Sequence, residues 1–218
     1  MNGFRHDLIF VSPNAWRSLL DARADIASEP LAAGWVDRGW PLVARRPAPA
    51  ESSGIALGLP LPPNLGKLRI PVLMQCADIV SVVPARALRD SMDAAPPAWR
   101  QTLEQIVVAA AAQGVEARVF GSLAWQALTG LDYITERSDL DLLLSLPRRN
   151  DVDRLTAALA AIEASAPMRL DGELVRDDGA GVNWREVHAG AREVMVKTAC
   201  GVELLDTQEF LGSRTLAS

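Results

Sequence analysis

Cysteine and histidine are scarce in this sequence. Among 218 residues there are two of each: Cys76 and Cys200, His6 and His188. The cysteines stand far apart and in no C-x-x-C, which excludes a disulfide framework and a cysteine-rich zinc site. Two histidines exclude a multi-histidine metal centre. No run of 18 apolar residues occurs, so no membrane-spanning helix is expected. Met1 to Phe10 carry Arg5, His6 and Asp7 and no long apolar stretch, unlike a signal peptide. The expectation is a cytoplasmic protein. Basic charge is not in excess either: 22 Lys and Arg stand against 27 Asp and Glu, a net charge of -5. That argues against bulk binding of long nucleic acid, which needs a basic face. A local basic patch for a small phosphate ligand remains compatible with it.

Chemistry must therefore rest on carboxylates, hydroxyls, Arg and Lys. The 49% apolar and 22% charged content is that of a globular chain. Its length suits one large domain or two small ones. From Pro41 to Pro71 seven prolines punctuate short apolar runs, which allows short strands and turns rather than long helices. A second break lies at Pro96-Pro97. Residues 1–93 read as a small, irregular N-terminal α+β unit, and residues 96–218 as a more regular domain.

In that second part, Trp99, Leu103, Ile106, Val107 and Ala110 recur at helical spacing over 98–113, between Pro97 and Gly114. A strand is expected over 115–120, a helix over 123–129 closed by Gly130, and a loop over 131–137. Another strand follows over 138–145, a helix over 151–164, and strands over 168–175, 193–198 and 202–205. The order α-β-α-β-α-β with added strands predicts an α/β (α+β) fold, a mixed sheet with flanking helices.

The sharpest chemical signal is Ser138-Asp139-Leu140-Asp141-Leu142. Side chains of a strand alternate between faces, so Asp139 and Asp141 share one face while Leu140 and Leu142 enter the core. Two neighbouring carboxylates repel each other unless a cation lies between them. Magnesium suits such a pair, because it takes hard oxygen ligands and shares them with substrate phosphates. An isolated D-x-D is common and by itself fits a solvated edge strand. Its partner upstream is Gly121-Ser122, placed where a strand ends and a helix begins. Backbone N–H groups and the helix dipole make that junction an anion site. Gly121 lets the backbone approach a phosphate, and the Ser122 hydroxyl adds a donor. Taken alone, Ser122 equally fits an ordinary N-cap.

Phe120-Gly121-Ser122 followed by Ser138-Asp139-Leu140-Asp141 resembles the signature of polymerase-β-like nucleotidyltransferases, a G-S and then a D-x-D. That superfamily adds a third carboxylate from a later strand. Asp171 and Glu173 are both candidates on one strand face, with Asp171 favoured. Sixteen residues separate Ser122 from Asp139, slightly more than in most members, with the extra length in 131–136. The resemblance extends over most of the chain. Arg5-His6-Asp7-Leu8, 39–46, 58–63 with 66–70, 121–131 and Val182-Asn183-Trp184-Arg185-Glu186 are together similar to one family. It is the malonate decarboxylase holo-acyl-carrier-protein synthases, or phosphoribosyl-dephospho-CoA transferases.

The resemblance implies a donor, 2'-(5''-triphosphoribosyl)-3'-dephospho-CoA, and an acceptor, a serine of the acyl carrier subunit of malonate decarboxylase. The phosphoribosyl-dephospho-CoA group would be transferred and diphosphate released. By motif position Asp139 and Asp141 would hold Mg2+, with Asp171 as third ligand, and one of the pair would help deprotonate the serine. Gly121 and Ser122 would hold the departing diphosphate.

Arg45-Arg46 and Lys67-x-Arg69 are the densest basic sites, and Arg45, Lys67 and Arg69 are candidates for the donor's phosphates. A solvated charged face is the competing account. Six tryptophans against one tyrosine is an unusual mix. Trp99 and Trp125 read as core, while Trp40 and Trp184 sit where an adenine can stack, although core packing fits them better. His6 and His188 have no motif partner, and Lys197 is given nothing beyond an ion pair. Two rival readings stay open: a nucleotidyltransferase that adenylylates a small molecule or a protein hydroxyl, and a non-catalytic nucleotide-binding module of the same fold.

Overall fold

The computed structural model describes residues 5–49, 51, 53–66, 69–146, 151–199 and 201–212. Two units emerge, Met1–Pro84 and Ala85–Ser218. In the first, β1 (Leu8–Val11) runs into α1 (Pro13–Ala22). Ser12 caps that helix by accepting the Ala15 N–H at 3.2 Å, and Pro13 fills the first turn, where its missing N–H costs nothing. The short helices α2 (Ala24–Ala27) and α3 (Pro30–Ala33) follow. Then come β2 (Leu42–Ala44), β3 (Ile55–Pro60), β4 (Arg69–Met74) and β5 (Ile79–Val83). These strands form an antiparallel sheet in the order β4-β3-β2-β1-β5. The proline-rich stretch thus supplies short strands, as its spacing predicts. Trp16 and Trp35 are buried, and their indole N–H groups donate to Ala33 O at 3.0 Å and Pro41 O at 2.9 Å. Burial is tolerated because each polar atom has a partner.

The second unit begins earlier than the proline pattern indicates. β6 (Arg86–Ala87) pairs with β7 (Ala117–Val119), and Leu88 is buried in this unit's core. Residues 85–93 therefore belong here, held by strand pairing that a proline count does not register. The remaining elements are α4 (Arg100–Ala112), α5 (Gly121–Thr129), β8 (Leu140–Ser145), α6 (Val152–Glu163) and β9 (Leu170–Val175). After them come β10 (Gly181–Asn183), α7 (Trp184–His188), β11 (Glu193–Lys197), β12 (Val202–Asp206) and α8 (Thr207–Gly212). β10, α7 and α8 were not expected from the sequence; they are too short to show a period.

The sheet order is β12-β11-β10-β9-β8-β7-β6. Only β8 and β9 run parallel, joined by the α6 crossover, and all other pairs are antiparallel. This is the mixed sheet that the element order predicts. Leu140, Leu142, Leu144, Leu170 and Leu174 pack from one face into a core shared with Leu103 and Ile106 of α4, Leu123 of α5, and Leu155 and Leu159 of α6. Burying a leucine contributes about 2 kcal/mol. A one-residue slip of β8 would expose three leucines and bury Asp141, so packing fixes which face the carboxylate takes. No helix of the described residues is long and apolar enough to cross a membrane.

Candidate active site

The first component is the turn between β7 and α5. Phe120 is extended, with φ -130° and ψ -168°, and Gly121 takes φ +63°. The Phe120 N–H donates to Asp141 O at 3.2 Å, which ties the turn to β8. A Cβ at position 121 would lie 1.8 Å from Asp141 Oδ2 and 2.6 Å from its Cγ. Glycine is thus required twice, for the left-handed backbone and for the space that the Asp141 carboxylate fills. The carboxylate lies against the N-terminal end of a nine-residue helix, where the helix dipole favours negative charge. Ser122 is the second residue of that helix and half-buried. The cap position belongs to Phe120, which has no capping side chain, so the N-cap account of Ser122 does not hold.

The second component is the long loop that delivers Asp139. Gln126 of α5 holds it. Its Oε1 accepts the N–H groups of Tyr133 and Ile134, both at 3.0 Å, and its Nε2 donates to Ala94 O at 2.7 Å. Tyr133 is buried, and burial pushes its phenol pKa well above the ordinary value. Ser138 Oγ accepts the Thr135 N–H at 2.9 Å and closes the loop before the strand. The extra residues between Ser122 and Asp139 are therefore an ordered connection, anchored on the same helix that starts at Gly121.

Asp139 stands one residue ahead of β8, and both it and Asp141 are half-buried beside the fully buried Leu140. The alternation expected from the sequence is present. The Asp139 side chain is 42% exposed, and its Oδ2 lies 3.6 Å from Arg169 Nε. Across the parallel pair, Asp141 is the direct register partner of Asp171. Like charges opposite each other on neighbouring strands are unfavourable without a cation.

Asp171 and Glu173 were indistinguishable by spacing, and their surroundings separate them. Glu173 is 6% exposed and bound to Lys197 Nζ at 2.8 Å, an ion pair that neutralises it. Asp171 instead accepts from a neutral amide, Asn183 Nδ2, at 3.2 Å. Asn183 also caps α7, its Oδ1 accepting the Arg185 N–H at 2.9 Å. Neither Asn183 nor Gln126 was singled out for a role by the sequence; their part depends on what they reach across the fold. Lys197 makes the ion pair that the sequence allowed it.

Could a divalent cation fit here? Among the described residues no three acidic, cysteine or histidine side chains converge into a ready-made cage. What is present is a carboxylate pair on adjacent strands, a third carboxylate one step along, and a helix start beside them. Magnesium is commonly held by one or two carboxylates and completed by substrate phosphates and water. The register pair Asp141 and Asp171 fits that mode, with Asp139 two residues ahead of Asp141 and beside Arg169.

The other candidates lie apart from this cluster in sequence and in role. Arg45 of the first unit is engaged by Glu51 through Nη1 at 2.7 Å and Nη2 at 2.5 Å, and donates to Leu57 O at 2.9 Å and Arg46 O at 3.0 Å. With the Ala48 N–H, this guanidinium holds the Glu51 carboxyl down to about 2. The geometry gives Arg45 a loop-clamping role. Arg69 is exposed at the start of β4, its stem against Gly58, and Lys67 lies outside the described residues. Trp184 is buried, with its Nε1 donating to Leu170 O at 3.1 Å, and a Cβ at Gly172 would meet its ring at 2.9 Å. Trp40 packs edge-on against Trp35, with ring centroids 4.9 Å apart. Both are packing residues, as the sequence favoured.

Comparison with known proteins adds to this geometry. Residues 87–208 match the family described as phosphoribosyl-dephospho-CoA transferase MdcG C-terminal domain, and residues 4–85 match the corresponding N-terminal domain. A protein of Bradyrhizobium diazoefficiens named phosphoribosyl-dephospho-CoA transferase is 52% identical over 211 residues, covering 97% of this chain and 93% of its own. A protein of the same name from Xanthomonas campestris pv. campestris is 38% identical over 214 residues, covering 98% and 99%. Another, from Azotobacter vinelandii, is 31% identical over 205 residues, covering 92% and 91%. No solved structure matches.

Proposed function

The chain belongs to the phosphoribosyl-dephospho-CoA transferase family, a family of transferases, and on that premise we propose its reaction: it moves phosphoribosyl-dephospho-CoA from 2'-(5''-triphosphoribosyl)-3'-dephospho-CoA to a serine of the acyl carrier subunit of malonate decarboxylase. The observation that supports the reading most is the Asp141 carboxylate seated against Gly121 at the start of α5. It joins a carboxylate cluster to an anion-binding helix start, the two parts that phosphoryl transfer from a triphosphate needs.

In the proposed step the serine oxygen forms a bond to the α-phosphorus, and the bond from that phosphorus to the bridging oxygen of the diphosphate breaks. A phosphodiester forms and diphosphate leaves with the bridging electrons. The serine proton passes to one carboxylate of the Asp139/Asp141 pair and on to solvent. Gly121 and Ser122, at the first turn of α5, bind the departing diphosphate through backbone N–H groups and the serine hydroxyl. Asp139, Asp141 and Asp171 would hold Mg2+, which when bound offsets charge on the phosphate oxygens. Asn183 orients Asp171, and Lys197 keeps Glu173 out of the ligand set.

The test is mass spectrometry of the carrier subunit after incubation with this protein, Mg2+ and the donor. A mass gain equal to the prosthetic group is expected. Labelling from ATP, with none from triphosphoribosyl-dephospho-CoA, would instead make it an adenylylating enzyme.

A further inference from the structure

Beyond Asp139 the second unit carries a concavity of about 780 Å3 that the reaction above leaves unused. Its apolar lining includes Trp99, Ile134, Pro167 and Met168, and its rim carries Asp139 and Arg169. We propose that this pocket binds the adenosine-diphosphate end of the donor. Pro96, Ile134 and Pro167 would take the adenine over a floor of the core residues Trp99 and Met168, and Arg169 the diphosphate bridge that leads to pantetheine. This rests on the transfer reaction proposed above and assigns a further part of the same substrate.

The direction of β8 supports it. Gly121 meets Asp141, so the leaving diphosphate belongs at that end of the carboxylate cluster. Asp139 lies two residues back, roughly 7 Å along an extended chain. The rest of the donor must extend away from the leaving group, past Asp139, and the pocket opens there. One ribose separates the reacting phosphate from the adenosine, which suits a site at the very edge of the cluster.

The chemistry of the walls also fits. Adenine is flat and largely apolar, and a concave apolar site of a few hundred cubic ångströms with a few polar groups at its rim is the usual form of a nucleotide site. The diphosphate bridge carries two negative charges, and a guanidinium pairs with it through two parallel hydrogen bonds. Arg169 is well placed for this because its present partner is loosely held: Asp139 lies 3.6 Å away, and the Arg169 side chain is 61% exposed. A cation taking Asp139 would release Arg169 to the phosphates. Glu136 and Arg137, one acidic and one basic, also line the pocket.

The test uses dephospho-CoA, which lacks the triphosphoribosyl group and so cannot react. Its affinity is measured by calorimetry with Mg2+ for the wild-type chain and for Ala98→Trp and Arg169→Ala. Ala98 is an exposed residue of the pocket wall, so a tryptophan there fills the pocket without entering the core. Both variants are expected to bind dephospho-CoA about tenfold or more weakly. Inorganic diphosphate, which reads the Gly121-Ser122 end, is expected to bind Ala98→Trp within about twofold of wild type. Thermal unfolding of each variant identifies any that fails to fold, and the other then carries the test. Unchanged dephospho-CoA affinity in a folded variant overturns the pocket assignment, as does a wild-type chain that binds no dephospho-CoA. Ala98→Trp that keeps donor affinity but raises KM for the acceptor also overturns it, placing the acceptor there. Transfer by the wild type with unaffected variants sinks the pocket and leaves the reaction standing. Pocket-dependent binding without any transfer sinks the reaction and leaves the pocket.

Discussion

The Asp141 carboxylate occupies the space in which any other residue at position 121 would carry its Cβ: the two sites are 1.8 Å apart. This one packing relationship turns two short sequence motifs into a single site. The register of β8 sets the carboxylate, the left-handed backbone at Gly121 sets the helix start, and each excludes alternatives to the other.

Gly121→Ala tests that relationship. A left-handed alanine costs about 1 kcal/mol in backbone strain, and its methyl must displace the carboxylate. A modest fall in Tm is expected, together with a loss of transfer rate on the order of 100-fold, the cost of displacing a reacting group by about 1 Å. Turnover within a few-fold of wild type would show that the carboxylate position is not critical.

The division of labour between Asp171 and Glu173 gives a contrast. Asp171→Asn is expected to lower kcat by at least about 100-fold with little change in Tm. Glu173→Gln should retain most of its turnover. Lys197→Ala leaves the buried Glu173 carboxylate without its cation and should cost about 1–3 kcal/mol of stability, below the figure for a fully buried pair because the lysine is partly exposed. Denaturant unfolding and steady-state kinetics together read the difference. Equal kinetic losses in Asp171→Asn and Glu173→Gln would contradict the assignment.

Gln126 is the clip on the Asp139 loop. Gln126→Ala removes three hydrogen bonds in a part-buried setting and should cost about 1–3 kcal/mol. Gln126→Glu can still accept from Tyr133 and Ile134 but cannot donate to Ala94 O, so an intermediate cost is expected. Hydrogen exchange at the amides of Tyr133 and Ile134 should speed up in the alanine variant, and unchanged protection there would remove Gln126 from this role.

The Arg45–Glu51 pair makes a prediction in pH. The Glu51 carboxyl is depressed to about 2, first by its hydrogen bonds to Arg45 and then by the Ala48 N–H. A depressed carboxyl stabilises the fold at pH values above its unfolded pKa, near 4.3. That contribution is lost as pH falls toward about 2. Carbon NMR of the Glu51 carboxyl should show a midpoint near that value in the wild type and a return toward the ordinary range in Arg45→Ala. A wild-type midpoint already near 4 would remove the clamp.

Much of the fold was legible in the sequence. The periods over 98–113 and 151–164 predict the helices found at Arg100–Ala112 and Val152–Glu163, because apolar residues recur once per turn where a helix covers a sheet. Leu140, Leu142 and Leu144 fixed the face of Asp141, because a strand has a period of two. The Gly121-Ser122 and Asp139-Asp141 motifs picked out residues that the fold brings together, Gly121 against Asp141, and the longer resemblance named the family to which the chain belongs. The boundary at 84/85 was not legible, because two residues pairing with β7 leave no mark in composition.

The sequence by itself determined which residues form the Gly-Ser turn and the D-x-D strand, and the strand face that carries the aspartates. That follows from short-range geometry, since alternation and turn formation depend on neighbours along the chain. Only the tertiary structure decided which third carboxylate stands beside Asp141, that Glu173 is neutralised by Lys197, that Arg45 is committed to Glu51, and that a pocket opens beyond Asp139. Each of those depends on residues distant in the chain being brought to one place, through strand register and packing that local sequence does not encode.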